Sequence, residues 1–328
     1  MNQKHNTAPC RVCGGTQVLE SLSVREMMFG TREEFDYFRC ADCYCLQLAV
    51  IPENMGDYYS RDYYSCRKLE DLSPNLPDRL KRKFLYPHMT RSKLGWNDGI
   101  GRALLRFGAG PPLQHWFKYL EGPVSLDVPI LDVGCGSGED LLGLRNNGFT
   151  CLLGVDPYLT EPLCYESGIE VRKCELSALT GSFGLITMHH VFEHLEDPKG
   201  TLRTAKNLLS KDGQILIRIP LSDSAAFEKY RENWVQLDAP RHITLQTRES
   251  MEQLARSAGL RIVRVAYDSS AFQFIGSERY LVDIPIIGKT DFELPEEQIA
   301  FYKDEALRLN RLEKGDQAAF VMMIDDRI

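Results

Sequence analysis

A doubly wound α/β domain behind a small cysteine-built module is the fold class this sequence predicts, and three observations carry it. A short apolar strand runs into a glycine-rich turn at 128–138, a second apolar strand at 151–155 ends on Asp156, and two C-x-x-C knuckles stand within the first 43 residues. Nearly continuous apolar strands of this kind belong to parallel sheets covered on both faces.

The chain has 328 residues, 43% of them hydrophobic and 26% charged, enough for one large and one small globular unit. The predicted division is 1–56 for the cysteine module, 57–125 for a Tyr-rich and basic, partly helical linker, and 126–328 for the main domain. No apolar run is long enough to span a membrane, and the opening MNQKHNTAPC lacks the apolar stretch of a secretory signal. The expected address is therefore cytoplasmic. A net charge of −7 argues against a large nucleic-acid footprint, because phosphate backbones are gripped by clustered Lys and Arg. Segment 79–106 runs against this trend, with eight Lys or Arg against one Asp. It reads either as the solvated face of linker helices or as a surface for anionic lipid or substrate phosphate, which would make the protein peripheral to a membrane.

Cys10, Cys13, Cys40 and Cys43 form the two knuckles, with 26 residues between them. Two thiolates from each complete a tetrahedral structural zinc site, and the module then resembles a zinc ribbon, with strands at 18–24 and 35–39. Cys45 is close enough in sequence to compete as a ligand. The tyrosine-rich stretch 57–65 that follows either packs or folds over a site, and Tyr64 is counted among the candidate ligand contacts.

In 128–140, VPILDVGCGSGED, glycines 134, 136 and 138 let the backbone approach a ligand, and the helix that follows offers free N–H groups. Asp156, 18 residues after Gly138, is placed to accept both hydrogen bonds from a ribose diol. The turn is G-x-G-x-G, with Asp132 inside the strand, and so departs from the nicotinamide fingerprint.

At ILDVGCGSG the chain resembles the class I S-adenosylmethionine-dependent methyltransferases. The resemblance covers roughly 126–267 and implies a Rossmann-like, seven-stranded methyltransferase sheet with S-adenosylmethionine as cofactor. It assigns cofactor roles to Asp132, Gly134, Gly136, Gly138 and Asp156, with Cys135 and Pro157 beside them. Glu175 and Leu176 fall where the family packs the adenine, and His189 and His190 close the fourth strand near the transferable methyl. The stretch VFEHLEDP at 191–198 is similar to a loop common in the family, so that Glu193 or His194 is a proton acceptor or substrate contact, or the two are a hydrogen-bonded pair fixing the loop after the fourth strand. Six strands are accounted for by residue 267, and the last, antiparallel strand is expected at 318–324. That makes 268–317 an insertion, a substrate cap with a helical stretch at 307–312.

Methyl transfer from a sulfonium is an in-line displacement, and a base is needed only when the nucleophile must lose a proton. The loop WVQLDAPRH at 234–242 offers His242 as first choice and His190 as second. Arg241 either clamps an acceptor's carboxylate or phosphate or pins the loop together with Asp238. The combination of paired knuckles, tyrosine-rich connection and APRH segment resembles methyltransferases acting on sugar nucleotides or surface-polysaccharide precursors. It implies a small-molecule, sugar-nucleotide or lipid-linked acceptor, with O-, N- and C-methylation all open. Rival readings are an RNA methyltransferase gripping RNA through the zinc module and a non-catalytic binding protein.

Overall fold

The computed structural model describes residues 9–59, 80–108, 110–288 and 292–327. The larger sheet contains β4 (Ile130–Val133), β5 (Leu152–Val155), β6 (Leu163–Cys164), β7 (Glu170–Arg172), β8 (Phe183–His189), β9 (Leu209–Pro220), β11 (Leu260–Tyr267) and β12 (Gln317–Ile324). Their order is β11-β12-β9-β8-β4-β5-β7-β6. Pairings through β7-β5-β4-β8-β9 are parallel, while β12 lies antiparallel between β9 and β11. The expected seven strands are present, the last where the sequence placed it. The two-residue β6 is an eighth, added antiparallel to the β7 edge.

Burial explains why 317–324 is a strand. Ala318, Phe320 and Met322 enter the core on one face of the sheet, and Ala319 and Val321 the core on the other. An apolar segment alternating between two buried layers has no solvent face, so it reads as a continuous hydrophobic run. The chain runs from β4 out to β7 on one side and then crosses to β8 and β9 on the other. The carboxyl ends of β4 and β8 therefore flank the switch point, where open α/β sheets bind ligands.

Two short helices, α1 (Tyr86–Lys93) and α2 (Gly99–Leu105), occupy the basic segment. No described helix is long and apolar enough to cross a membrane. In the main domain α3 (Glu139–Asn146) follows the glycine turn. Helix α4 (Pro198–Leu208) starts at Asp197, whose side chain accepts from the Gly200 N–H, and buries Leu202, Ala205 and Leu208. After α5 (Ala225–Tyr230), α6 (Arg248–Ser257) opens with a reciprocal Thr247–Ser250 capping box.

The second sheet joins strands from both sides of the boundary expected at residue 56. It comprises β1 (Val18–Arg25), β2 (Glu34–Cys40), β3 (Leu46–Leu48) and β10 (Thr244–Leu245), in the order β1-β2-β3-β10. Strand β10 comes from the loop after β9, pairing Leu245 with Leu46 and Thr244 with Gln47. The cysteine-bearing segment is thus stitched into the main domain by backbone hydrogen bonds. The 268–317 insertion joins it too. It forms α7 (Phe272–Leu281) and α8 (Glu296–Arg311), the latter longer than the expected helical stretch at 307–312 and starting directly after Pro295. Phe274, Tyr302 and Leu309 from these helices share one core with Tyr37 and Leu48 of the N-terminal sheet and Trp234 of the post-β9 loop. Asp283 pairs with Arg25 at 2.7 Å and Arg32 at 2.9 Å across the same junction.

Candidate active site

The glycine turn follows directly from local backbone demands. Gly134, Gly136 and Gly138 have φ of +66°, +53° and +82°, a region closed to most side chains. A Cβ at Gly134 would collide with Val191, so the turn also seats the loop after β8. The Cys135 thiol packs back onto Gly154, so only the backbone of this residue faces outward from the turn. Asp156 is buried at the tip of β5, where one carboxylate oxygen accepts from the Gly136 N–H at 2.9 Å and the other from the Tyr158 N–H at 2.8 Å.

Electrostatics decide which cofactor this crevice suits. Asp132 is buried and accepts from the Thr187 hydroxyl at 2.8 Å. Burial, together with the charges of Asp140 and Asp156, pushes its carboxyl up to about 8. Helix α3 carries Glu139 and Asp140 in its first turn, where a dinucleotide's pyrophosphate would need to sit. Glu139 and Asp140 disfavour an anion at this helix start and favour a cation, which fits the sulfonium and ammonium that the sequence resemblance implies. Glu175 acts electrostatically on Tyr158, next to Asp156, and Leu176 is buried behind it. Pro157 is partly buried. Tyr64 lies outside the described residues.

On the acceptor side, His189 ends β8 with its ring 5.1 Å from Trp116. Burial first, and then the neighbouring Arg218 and His190, lower it to about 3, so it is neutral at pH 7. His190 has φ +54°, and both ring nitrogens are engaged. Nδ1 faces Glu193 Oε1 at 3.3 Å and Nε2 faces Arg218 at 3.2 Å, with Arg218 in turn held by Asp268. Since Arg218 only donates, the His190 Nε2 lone pair is occupied, and the base expected there is not available in this geometry.

His242 is buried and donates from Nδ1 to the Gln236 carbonyl at 2.7 Å. That fixes the tautomer and leaves the Nε2 lone pair 4.0 Å from Glu193 Oε1. Burial, then His194, holds the ring down at about 4, hence neutral. Glu193 is 1% exposed, and burial raises its carboxyl, but the His190 hydrogen bond and the charges of three histidines outweigh this and lower it to about 2. His194 Nδ1 lies 2.9 Å from the Arg241 carbonyl and 3.1 Å from the Tyr59 hydroxyl. Tyr59 also stacks on Tyr158 at 5.3 Å, so the tyrosine-rich stretch does reach the site, through a tyrosine that the sequence reading had not singled out.

Arg241 corrects the expectation of an anion clamp. It is 0% exposed, its Nε donates to Asp238 at 3.0 Å, and a terminal nitrogen donates to Glu26 at 3.1 Å. Another terminal nitrogen donates to the Tyr58 carbonyl at 3.2 Å. With its donors turned inward, Arg241 pins the loop that carries His242 to the N-terminal sheet. Glu26 had no local signal in the sequence, because its partner is 215 residues away.

At the knuckles, Cys10 and Cys43 Sγ are 3.5 Å apart, as are Cys13 and Cys40. All four Sγ lie within 4.8 Å of one another. A tetrahedron with metal–sulfur bonds of about 2.3 Å has edges of about 3.8 Å, so the set fits a zinc ion. Cys45 is not part of it, because its thiol points to the Leu245 carbonyl at 3.4 Å.

A family described as a methyltransferase domain matches residues 60–265, well over half of the chain. The chain belongs to that family. This methyltransferase is also 32% identical over 96 residues to a ubiquinone biosynthesis O-methyltransferase of Azotobacter vinelandii, a match covering 26% of this chain and 41% of that protein's length. Solved structures similar to it include a SAM-dependent methyltransferase from Archaeoglobus fulgidus, at 20% identity and TM-score 0.39, covering 71% of this chain and 96% of the other. Another is an O-methyltransferase from a trans-AT PKS multienzyme of Brevibacillus brevis in complex with S-adenosyl-L-homocysteine, at 15% identity and TM-score 0.38, covering 61% and 68%. The family match thus places a methyltransferase domain over 60–265, the stretch that carries the glycine turn and Asp156.

Proposed function

We propose that this methyltransferase acts on a small polar acceptor, a sugar nucleotide or a lipid-linked surface-polysaccharide precursor, and that zinc on Cys10, Cys13, Cys40 and Cys43 holds the cap in place. The observation that carries the reading is the cluster of Glu193 and His242, both buried, with the half-buried His194, beside the glycine turn. An apolar acceptor would be matched by an apolar wall, whereas a hydroxyl or amine calls for buried acceptors of this kind.

In the step these groups support, the acceptor's heteroatom gives up its proton, with the neutral His242 Nε2 as the candidate to receive it. The heteroatom attacks the methyl carbon in line, and the carbon–sulfur bond breaks with its electron pair left on sulfur. Asp156 would hold the ribose, while the Asp132–Asp140 region would face the cationic end of the cofactor. Calorimetric titration with S-adenosylhomocysteine, followed by labelled-methyl transfer to a panel of nucleotide sugars, tests the proposal. Transfer to at least one of the panel supports it. Cofactor binding without transfer to any nucleotide sugar or lipid-linked sugar would overturn the acceptor class.

A further inference from the structure

We infer that Glu193, His194 and His242 form a second metal site, an open three-ligand centre for a divalent transition-metal ion that seats the acceptor's oxygen beside the methyl group. The inference rests on the proposed function with an oxygen-bearing acceptor, and it replaces His242 as the receiver of the acceptor's proton. It starts from geometry: one ring nitrogen of each histidine and a carboxylate oxygen of Glu193 all lie within 4.8 Å of one another. The two imidazole rings stand edge-to-face, 4.7 Å apart.

Two independent features prepare these groups for an ion. Each histidine has Nδ1 against a backbone carbonyl, His242 at Gln236 and His194 at Arg241, which fixes Nε2 as the lone-pair nitrogen. Outer carbonyls commonly orient metal-binding histidines in this way. In addition, Glu193 Oε2 is buried and has no hydrogen-bond partner among the described residues, although the side chain is 1% exposed. A buried carboxylate oxygen without a partner is costly, and a cation is the partner that removes the cost. The 4.0 Å between His242 Nε2 and Glu193 Oε1 is wider than the edge of about 3.4 Å that tetrahedral bonds of about 2.1 Å require, so the side chains close by about half an ångström when the ion binds.

The donor set selects the class of ion. Two nitrogens with one carboxylate suit zinc, manganese, iron or cobalt, whereas magnesium and calcium prefer all-oxygen shells. Three protein ligands leave positions open for a hydroxyl or a vicinal pair, in contrast to the closed four-thiolate set at the knuckles. The site adjoins the cofactor crevice, since Val191 packs on Gly134 and Tyr59 bridges His194 to Tyr158. With an ion present the His242 lone pair is engaged in coordination, and the acceptor's proton leaves to solvent water.

Manganese is the probe, because it does not displace zinc from thiolates and its free ion is read directly by electron paramagnetic resonance. The full-length chain is dialysed against a chelator, titrated with Mn²⁺, and checked for S-adenosylhomocysteine binding as a control for folding. We expect one manganese per chain at micromolar affinity, weakened at least 100-fold in His242→Ala and in the near-isosteric Glu193→Gln, with the control retained. A folded wild type with no manganese site below millimolar concentration would overturn the inference, as would variants that bind as wild type does. Neither result depends on a methylation assay, so a failure here is distinguishable from a wrong acceptor class.

Discussion

The cofactor crevice and the acceptor side of this protein are built on opposite plans. The crevice is made from 25 consecutive residues, 132–156, whose glycines and aspartates act through local backbone geometry. The acceptor side draws together β1–β3, the loop after β9 and the 268–317 helices, which share one core although they are far apart in sequence. A locally encoded site tolerates remote change. A site assembled from distant segments depends on every buried polar contact that joins them.

The largest expected effect lies on that second side. Arg241→Ala leaves Asp238 and Glu26 buried without their cation, and unpairing of this kind costs about 3–5 kcal/mol. Urea unfolding should show that loss, and Arg241→Lys should recover only part of it, because a lysine cannot reproduce the fork of donors. A fully stable Arg241→Ala would break the comparison.

Asp156→Ala is the counterpart on the crevice side. Two charge-assisted hydrogen bonds to a ribose amount to about 3 kcal/mol, roughly a 100-fold loss in affinity for S-adenosylhomocysteine by calorimetry. Unfolding stability should change much less than in Arg241→Ala.

The pH dependence sharpens the contrast further. Asp132 titrates near 8 in the fold, above its ordinary 3.8, so between those values the folded chain holds a proton that the unfolded chain has released. Its contribution to stability is therefore full below pH 3.8 and declines as pH rises toward 8. Binding of cationic S-adenosylmethionine favours the ionised carboxylate, so its affinity should rise from pH 6.5 to 8.5, and Asp132→Asn should flatten that rise. A pH-independent affinity in the wild type would show that this carboxyl does not face the cofactor's charge.

The smallest effect is expected at the seam between the two regions. The Thr247 hydroxyl accepts the Ser250 N–H at 3.0 Å and lies 3.3 Å from the Cys43 carbonyl. Thr247→Ala should cost about 1 kcal/mol by thermal or urea unfolding, the usual value of a lost N-cap.

The difference between the regions also explains what could be read in advance. The parallel strands and the final antiparallel strand, expected at 318–324 and found at 317–324, were legible because burial on both faces leaves a mark on neighbouring residues. The pairing of the cysteine segment with the loop after β9 left no signal in the sequence because β10 contributes only two residues, too few to carry a period. Arg241 was open to two readings because a charged side chain looks the same in sequence whether it meets a substrate or Glu26.

By itself the sequence determined the sheet, the glycine turn and the buried aspartate at the tip of the second strand, since each depends on φ angles, strand burial or charge within a few adjacent residues. Only the tertiary structure decided that Arg241 faces inward, that His190 is engaged by Arg218 and that Cys45 stands apart from the other thiols. It also brought Glu193, His194 and His242 to one point. Those outcomes depend on which distant backbone closes over each side chain, and no local pattern encodes that.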